Sequence, residues 1–230
     1  MRTIKNIAAI AIAIVVTLVI TTTSVNAQIQ YTSKAKMPEL NHTTHGGCFY
    51  YKNGEQVNCK GWLIKAGGLY EVSEGSFGGI VEIGYRFPKF IGSLHTRVGF
   101  YGGFKAAEMD GMKFDQVLTG GKFYLDLTPH SPIANFYIAA GFQYNSLKIK
   151  DNVPVSWLDK NSKSDDTVAI YSGDNKHNFA PTATVGVNKQ LSKHIHASAE
   201  FTYVPVKIST PMGSRTYNQQ NVGVSLQYHF

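Results

Sequence analysis

Two groups of residues in this 230-residue chain have the types and spacing to do chemistry. The first is His42-Thr43-Thr44-His45-Gly46-Gly47-Cys48, followed by Cys59. Two imidazoles and two thiolates are a ligand set for tetrahedral zinc. The same cysteines are also placed for a disulfide. Asn53-Gly54 lies between them, and this dipeptide is a strong two-residue hairpin signal. A turn there sets Lys52 opposite Glu55 and, counting outward, Cys48 opposite Cys59. Opposed residues have Cα atoms about 4.5–5.5 Å apart, within the disulfide range. The second group is His196-Ala197-Ser198-Ala199-Glu200. It puts a base, a hydroxyl and an acid on alternate residues, hence on one face of a strand. A serine nucleophile needs such a base and an orienting acid. Simple alternation of polar residues produces the same spacing.

Which chemistry applies depends on the elements that carry these residues and on their compartment. The chain opens with Arg2 and Lys5, an apolar run from Ile7 to Ile20, and Val25-Asn26-Ala27. This is the order of a secretory signal, with cleavage expected between Ala27 and Gln28. The run falls short of the roughly 20 apolar residues of a spanning helix and lapses into Thr21-Thr22-Thr23-Ser24. Export places Cys48 and Cys59 in an oxidising compartment, which with the hairpin register favours the disulfide over zinc. Loss of Arg2 and Lys5 lowers the formal net charge from +7 by two. No basic cluster or helix points to nucleic acid.

From Gly61 onward apolar and polar residues alternate with period 2, the mark of strands with two unlike faces. The last segment is the clearest: Val222, Val224, Leu226, Tyr228 and Phe230 share one face, and Asn221, Gly223, Ser225, Gln227 and His229 the other. The pattern recurs about eight times, predicting strands near 61–72, 76–87, 94–105, 112–127, 133–147, 177–190, 194–206 and 216–230. Each is long enough to cross a bilayer, which takes about 9–11 tilted residues. An open sheet edge cannot stand unsatisfied in lipid, so the strands must close on themselves. The expected fold is therefore all-β: a closed antiparallel transmembrane β-barrel of about eight strands in an up-and-down meander. The expected divisions are a signal peptide at 1–27, an N-terminal periplasmic segment with the hairpin at 28–60, and the barrel at 61–230.

Connections support this. Short periplasmic turns fall at 88–93, 128–132 and 191–193, while the longest connection, 148–176, is expected outside. That topology puts Trp62, Tyr85, Phe87, Phe123, Phe136, Tyr228 and Phe230 near the periplasmic interface. It puts Tyr70, Phe77, Phe104, Tyr144, Phe179 and Tyr203 near the outer one. Two aromatic girdles are what the headgroup levels favour. The opposite faces give a lumen containing Lys65, Glu82, Arg86, Arg97, Lys122, Asp126, His196 and Glu200, interleaved with glycines. Buried charges of both signs must pair, and eight strands enclose little more than their own side chains.

These alternating strands, the mixed-charge lumen, the turn Leu191-Ser192-Lys193-His194 and the ending Val222–Phe230 resemble the OmpA-type small outer-membrane barrel superfamily. The resemblance covers about 61–230, the barrel only, with no peptidoglycan-binding domain expected. It implies insertion by the barrel-assembly machinery, with Val224, Leu226, Tyr228 and Phe230 as the assembly signal.

Three functions follow as expectations. The first is a non-enzymatic, monomeric outer-membrane barrel without cofactor, in a Gram-negative-type envelope with its N-terminus periplasmic. Its partners would be outer-membrane lipid and an extracellular ligand met by loop 148–176, where Trp157 is the candidate anchor. The second is a narrow porin-like channel in which Lys65, Arg97 and Lys122 favour anions. The third is a lipid-modifying enzyme, since His196-Ala197-Ser198 is similar to the His-x-Ser arrangement of barrel lipid A deacylases. In those the site faces lipid, whereas the period here turns His196, Ser198 and Glu200 inward.

Overall fold

The structure is a computed structural model, and it describes residues 49–52, 55–58, 61–91, 94–128, 134–158, 167–191 and 194–230. The expected signal peptide with its Ala27–Gln28 junction, and both Cys48 and Cys59, lie outside the described residues. Between the cysteines, residues 49–52 and 55–58 are described. Strands β1 (Phe49–Lys52) and β2 (Glu55–Asn58) pair antiparallel with Lys52 opposite Glu55 and Phe49 opposite Asn58.

The barrel wall consists of β3 (Gly61–Glu71), β4 (Phe77–Ile91), β5 (Leu94–Met109), β6 (Met112–Asp126), β7 (Asn135–Ile149), β10 (Asn175–Gln190), β11 (Ile195–Thr210) and β12 (Gly213–His229). Each pairs antiparallel with its successor, and β12 closes on β3 from Asn221↔Glu71 to His229↔Leu63. An excursion between β7 and β10 carries β8 (Val153–Pro154), a four-residue helix α1 (Val155–Leu158) and β9 (Val168–Ile170), with β8 and β9 paired. The end bearing this excursion is called the cap end, and the end where β3 begins and β12 finishes the terminal end.

Several strands run further than their alternation alone predicts. Strand β5 continues to Met109, where Asp110 (φ 49°) and Gly111 (φ 82°) make a two-residue turn and Met109 faces Met112. Two consecutive positive φ values match the right-handed strand twist, and Asp-Gly tolerates them at little cost. Strands β11 and β12 likewise extend to Thr210↔Gly213.

Burial is inverted relative to a water-soluble barrel. Phe77 is 70% and Phe100 68% exposed on the outer wall, while Lys65, Glu82 and Arg97 are 0% exposed within. A continuous apolar exterior of this extent is unfavourable in water. Surrounded by hydrocarbon it is the stable arrangement, because every main-chain group of a closed barrel can be satisfied by a neighbouring strand. The expected girdle residues Trp62, Phe123, Phe136, Tyr228 and Phe230 are exposed toward the terminal end, and Phe77, Phe104, Tyr144, Phe179 and Tyr203 toward the cap end.

Candidate functional site

Alternation sends one residue in two of each wall strand inward, and these side chains build the interior in layers. At its centre the Lys65 ammonium lies 2.9 Å from a Glu82 oxygen and 3.1 Å from a Glu200 oxygen. The Tyr124 hydroxyl donates to Glu82 at 2.5 Å, and the Tyr137 hydroxyl donates to Glu200 at 3.1 Å. Lys122 reaches the other Glu200 oxygen at 3.5 Å and the Thr202 hydroxyl at 3.3 Å. The Arg97 guanidinium carbon sits 3.9 Å above the Tyr124 ring and 5.1 Å from the Tyr137 centroid, and one nitrogen donates to Gln227 at 3.1 Å. Small inner residues make room for this core. A Cβ on Gly186 would collide with the Tyr137 ring, and one on Gly99 would collide with the Glu82 carboxylate.

Toward the terminal end Arg86 approaches Asp126 at 3.6 Å, and the His196 ring tilts against His229 at 4.2 Å. Toward the cap end Lys105 donates to Glu71 at 2.6 Å and to Asn221 at 3.1 Å. Beside it Gln116 links Asn145 at 2.7 Å with Gln219. Five buried bases (Lys65, Arg86, Arg97, Lys105, Lys122) thus meet four buried acids (Glu71, Glu82, Asp126, Glu200), leaving one positive charge if the histidines are neutral. Burying so many charges is tolerable only because each has an opposite partner or an aromatic face at contact distance.

All eight charged or imidazole residues singled out for the lumen are buried inside the barrel: Lys65, Glu82, Arg86, Arg97, Lys122, Asp126, His196 and Glu200. The structure joins Lys65, Glu82, Glu200 and Lys122 in one network with Arg97 stacked on it, and sets Arg86 with Asp126 apart. Sequence reasoning overlooked Glu71 and Lys105, which lie within the expected strands 61–72 and 94–105 and share the faces of Lys65 and Arg97. It also overlooked Tyr124 and Tyr137, whose positions face inward although their residue type favours an interface.

The nucleophilic arrangement is not assembled. The Ser198 hydroxyl bonds to the Ser225 hydroxyl at 2.6 Å, and Glu200 is held by Lys65, Lys122 and Tyr137. His196 turns to His229, so no base lies against the serine, and all three residues are buried away from lipid. A lipid-modifying site at His196, Ser198 and Glu200 is therefore contradicted. Among the described residues no group of three or more His, Cys, Asp or Glu is placed to hold a metal ion.

Above the polar layers the interior becomes apolar. Leu147, Ile149, Val153, Ile170, Val206 and Ile208 are among a cluster that also includes Trp157. Trp157 is only 7% exposed: its indole N–H donates to the Met109 carbonyl at 3.2 Å, and its ring contacts Phe114. Arg215 locks the arrangement, donating to the Trp157 carbonyl at 2.6 Å and pairing with Asp110. The expectation of Trp157 as an exposed anchor fails because the strand extensions supply an apolar rim that draws the indole inward. On the turn that follows β9, Tyr171 is 64% exposed instead. That turn is tied down by Gly173 N–H to Ile149 O and by the Ser172 hydroxyl to Lys150 O. In the turn between β3 and β4, burial pushes the Glu74 carboxyl above the usual carboxylate range.

Val224, Leu226, Tyr228 and Phe230 all point outward along β12 and its end. An eight-stranded closed wall, an apolar exterior with aromatics at both levels and a charged, packed interior together define a small outer-membrane β-barrel. The chain belongs to the outer membrane protein beta-barrel domain family, whose model matches residues 16–230. This places it in an outer membrane. Its fold is similar to that of Neisserial surface protein A, NspA, at 14% identity and a TM-score of 0.51, covering 74% of this chain and 97% of that one. Further matches are Ail, the attachment invasion locus protein of Yersinia pestis (9% identity, TM-score 0.44, 74% of this chain and 99% of that one). The N-terminal β-barrel domain of OprF from Pseudomonas aeruginosa matches at 14% identity and a TM-score of 0.43, covering 74% of this chain and 96% of that one. No curated protein matches significantly.

Proposed function

We propose that the chain is a closed, non-enzymatic outer-membrane barrel that stabilises the membrane and presents its cap for surface recognition or adhesion. The observation that supports this is the double closure of the interior. Buried ion pairs and stacked aromatics fill the centre, and the Trp157 cluster fills the cap end. A solute pathway needs charges facing open water, whereas these charges face each other. The longer connection belongs outside in bacterial barrels, so the cap end faces the exterior and the N-terminus the periplasm. In this reading Val224, Leu226, Tyr228 and Phe230 serve the assembly machinery, which meets the outward face they form.

The recognition surface centres on Tyr171, an exposed aromatic on a fixed turn, where a partner gains contact area at low entropic cost. Attachment of cells displaying the full chain to protein- and glycan-coated surfaces tests this. The Tyr171→Ala variant should attach more weakly at equal surface level. Attachment unaltered by Tyr171→Ala and by deletion of 151–174 would remove the recognition role.

A further inference from the structure

The wall is not latched uniformly. Pairing between β10 and β11 runs from Gln190↔His196 to Ala183↔Tyr203 and stops there. Both strands continue toward the cap end, β10 back to Asn175 and β11 on to Thr210, each still paired on its other side. Extending the register by two residues would set Pro181 opposite Pro205. The ladders with the outer neighbours pass unbroken through Pro181↔Phe142 and Pro205↔Asn218. Neither proline therefore withdraws a donor from its paired side, and both missing N–H groups belong to the β10–β11 seam. A proline cannot donate to a ladder, and two facing one another cancel both bonds of a close pair. The Pro205 nitrogen would also have served the Thr182–Val204 step, which is where pairing ends.

What lies on either side of this seam is equally specific. Outward, Phe179 and Tyr203 mark the cap-end girdle, and Pro181 and Ala183 continue the apolar face below Phe179. Beyond them the first exposed cationic side chain on β11 is Lys207, while on β10 exposed His177 stacks on Tyr144 of β7. Inward, the seam is backed by Ala180, Val204, Val206 and Ile208, all within the apolar cluster. The interior turns polar at the lower edge of the seam, where Thr182 is buried, and Thr184 just below it bonds Thr202 at 2.9 Å. At Ala180, Val204 and Val206 the unlatched stretch therefore has apolar side chains inside as well as an apolar face outside.

We propose that the β10–β11 seam is a lateral lipid site: an acyl chain of a lipid in the cap-end leaflet inserts between Pro181 and Pro205 and packs on Val204 and Val206, while its phosphate meets Lys207. Main-chain bonds elsewhere would have to break to admit a chain, whereas here none exist to break. A chain entering from the side also avoids the ion-paired core. The site is independent of the recognition role of Tyr171 and survives if that role fails.

The test is photolabelling of the full barrel in vesicles of phosphatidylglycerol carrying a diazirine in the acyl chain, with labelled residues located by peptide mass spectrometry. Labels on the inward-facing Val204 and Val206 are expected. Labels confined to outward residues such as Phe201 and Tyr203 would overturn the proposal. The double variant Pro181→Val/Pro205→Val restores both donors, so labelling at Val204 and Val206 should drop to the unirradiated background; an undiminished yield would also overturn it. Lys207→Gln should weaken retention of the anionic probe about fivefold, the weight of one lysine at an anionic surface. Equal retention of phosphatidylglycerol and phosphatidylcholine by the unaltered barrel would remove the headgroup half of the assignment.

Discussion

Glu200→Gln is the perturbation that bears most heavily on the interior. Glu200 accepts from Lys65 and Tyr137 on one oxygen and from Lys122 on the other, all buried. Neutralising it affects its partners unequally. Lys65 keeps Glu82 at 2.9 Å, but Lys122 is left with the Thr202 hydroxyl and the face of Tyr101 at 5.1 Å. Stranding a buried charge costs about 3–5 kcal/mol, and the glutamine oxygen can still accept one hydrogen bond, so about 3 kcal/mol of destabilisation is expected. The assay is reversible urea unfolding in lipid vesicles, followed by tryptophan emission and by the gel shift between folded and unfolded barrel. Lys122→Met in the Glu200→Gln background removes the stranded charge and should return about 1–2 kcal/mol, a coupling that only contacting residues show. A loss below about 1 kcal/mol, or strictly additive costs, would refute the claim that these pairs carry the interior.

Other positions give independent outcomes. Gly186→Val forces the Tyr137 ring off Glu200 and should cost about 1–3 kcal/mol by overpacking, measured by the same unfolding assay. Trp157→Ala empties the centre of the cap and should cost that region about 3–5 kcal/mol. Amide exchange should rise in 105–115 and 147–158 while the ion-paired layers stay protected. Gly111→Ala places a side chain at φ 82° and should lose about 1–2 kcal/mol, read as a lower urea midpoint. Intact mass of the exported protein under nonreducing conditions should show the Cys48–Cys59 bond that the hairpin register favours, through the loss of two thiol hydrogens. Free thiols with bound zinc would favour the metal alternative.

The wall was legible because lipid imposes the same period on every strand. Val224, Leu226 and Tyr228 could only share a face, and Lys65 or Arg97 could only lie opposite it. The cap was less legible because above the membrane that constraint ends. Both faces of Ala107–Met109 and of Ile208–Thr210 meet protein or water, so alternation stops predicting where the strands finish. Asp110-Gly111 was the one local signal that β5 and β6 run on. Trp157 lies in a stretch where residue type alone favours exposure on a loop. Its burial depends on a rim assembled from Met109, Phe114 and Arg215, distant in sequence. The seam was hidden for a related reason: Pro181 and Pro205 each look like ordinary strand interruptions until the register sets them face to face.

The central claim is that the lumen is closed by its own charges and by the cap. Planar-bilayer recording of the refolded full chain in simple potassium chloride tests it most directly. No current above the lipid baseline is expected for the unaltered barrel. Discrete, anion-selective steps would show that Lys65, Arg97 and Lys122 line a water-filled path, and would contradict it.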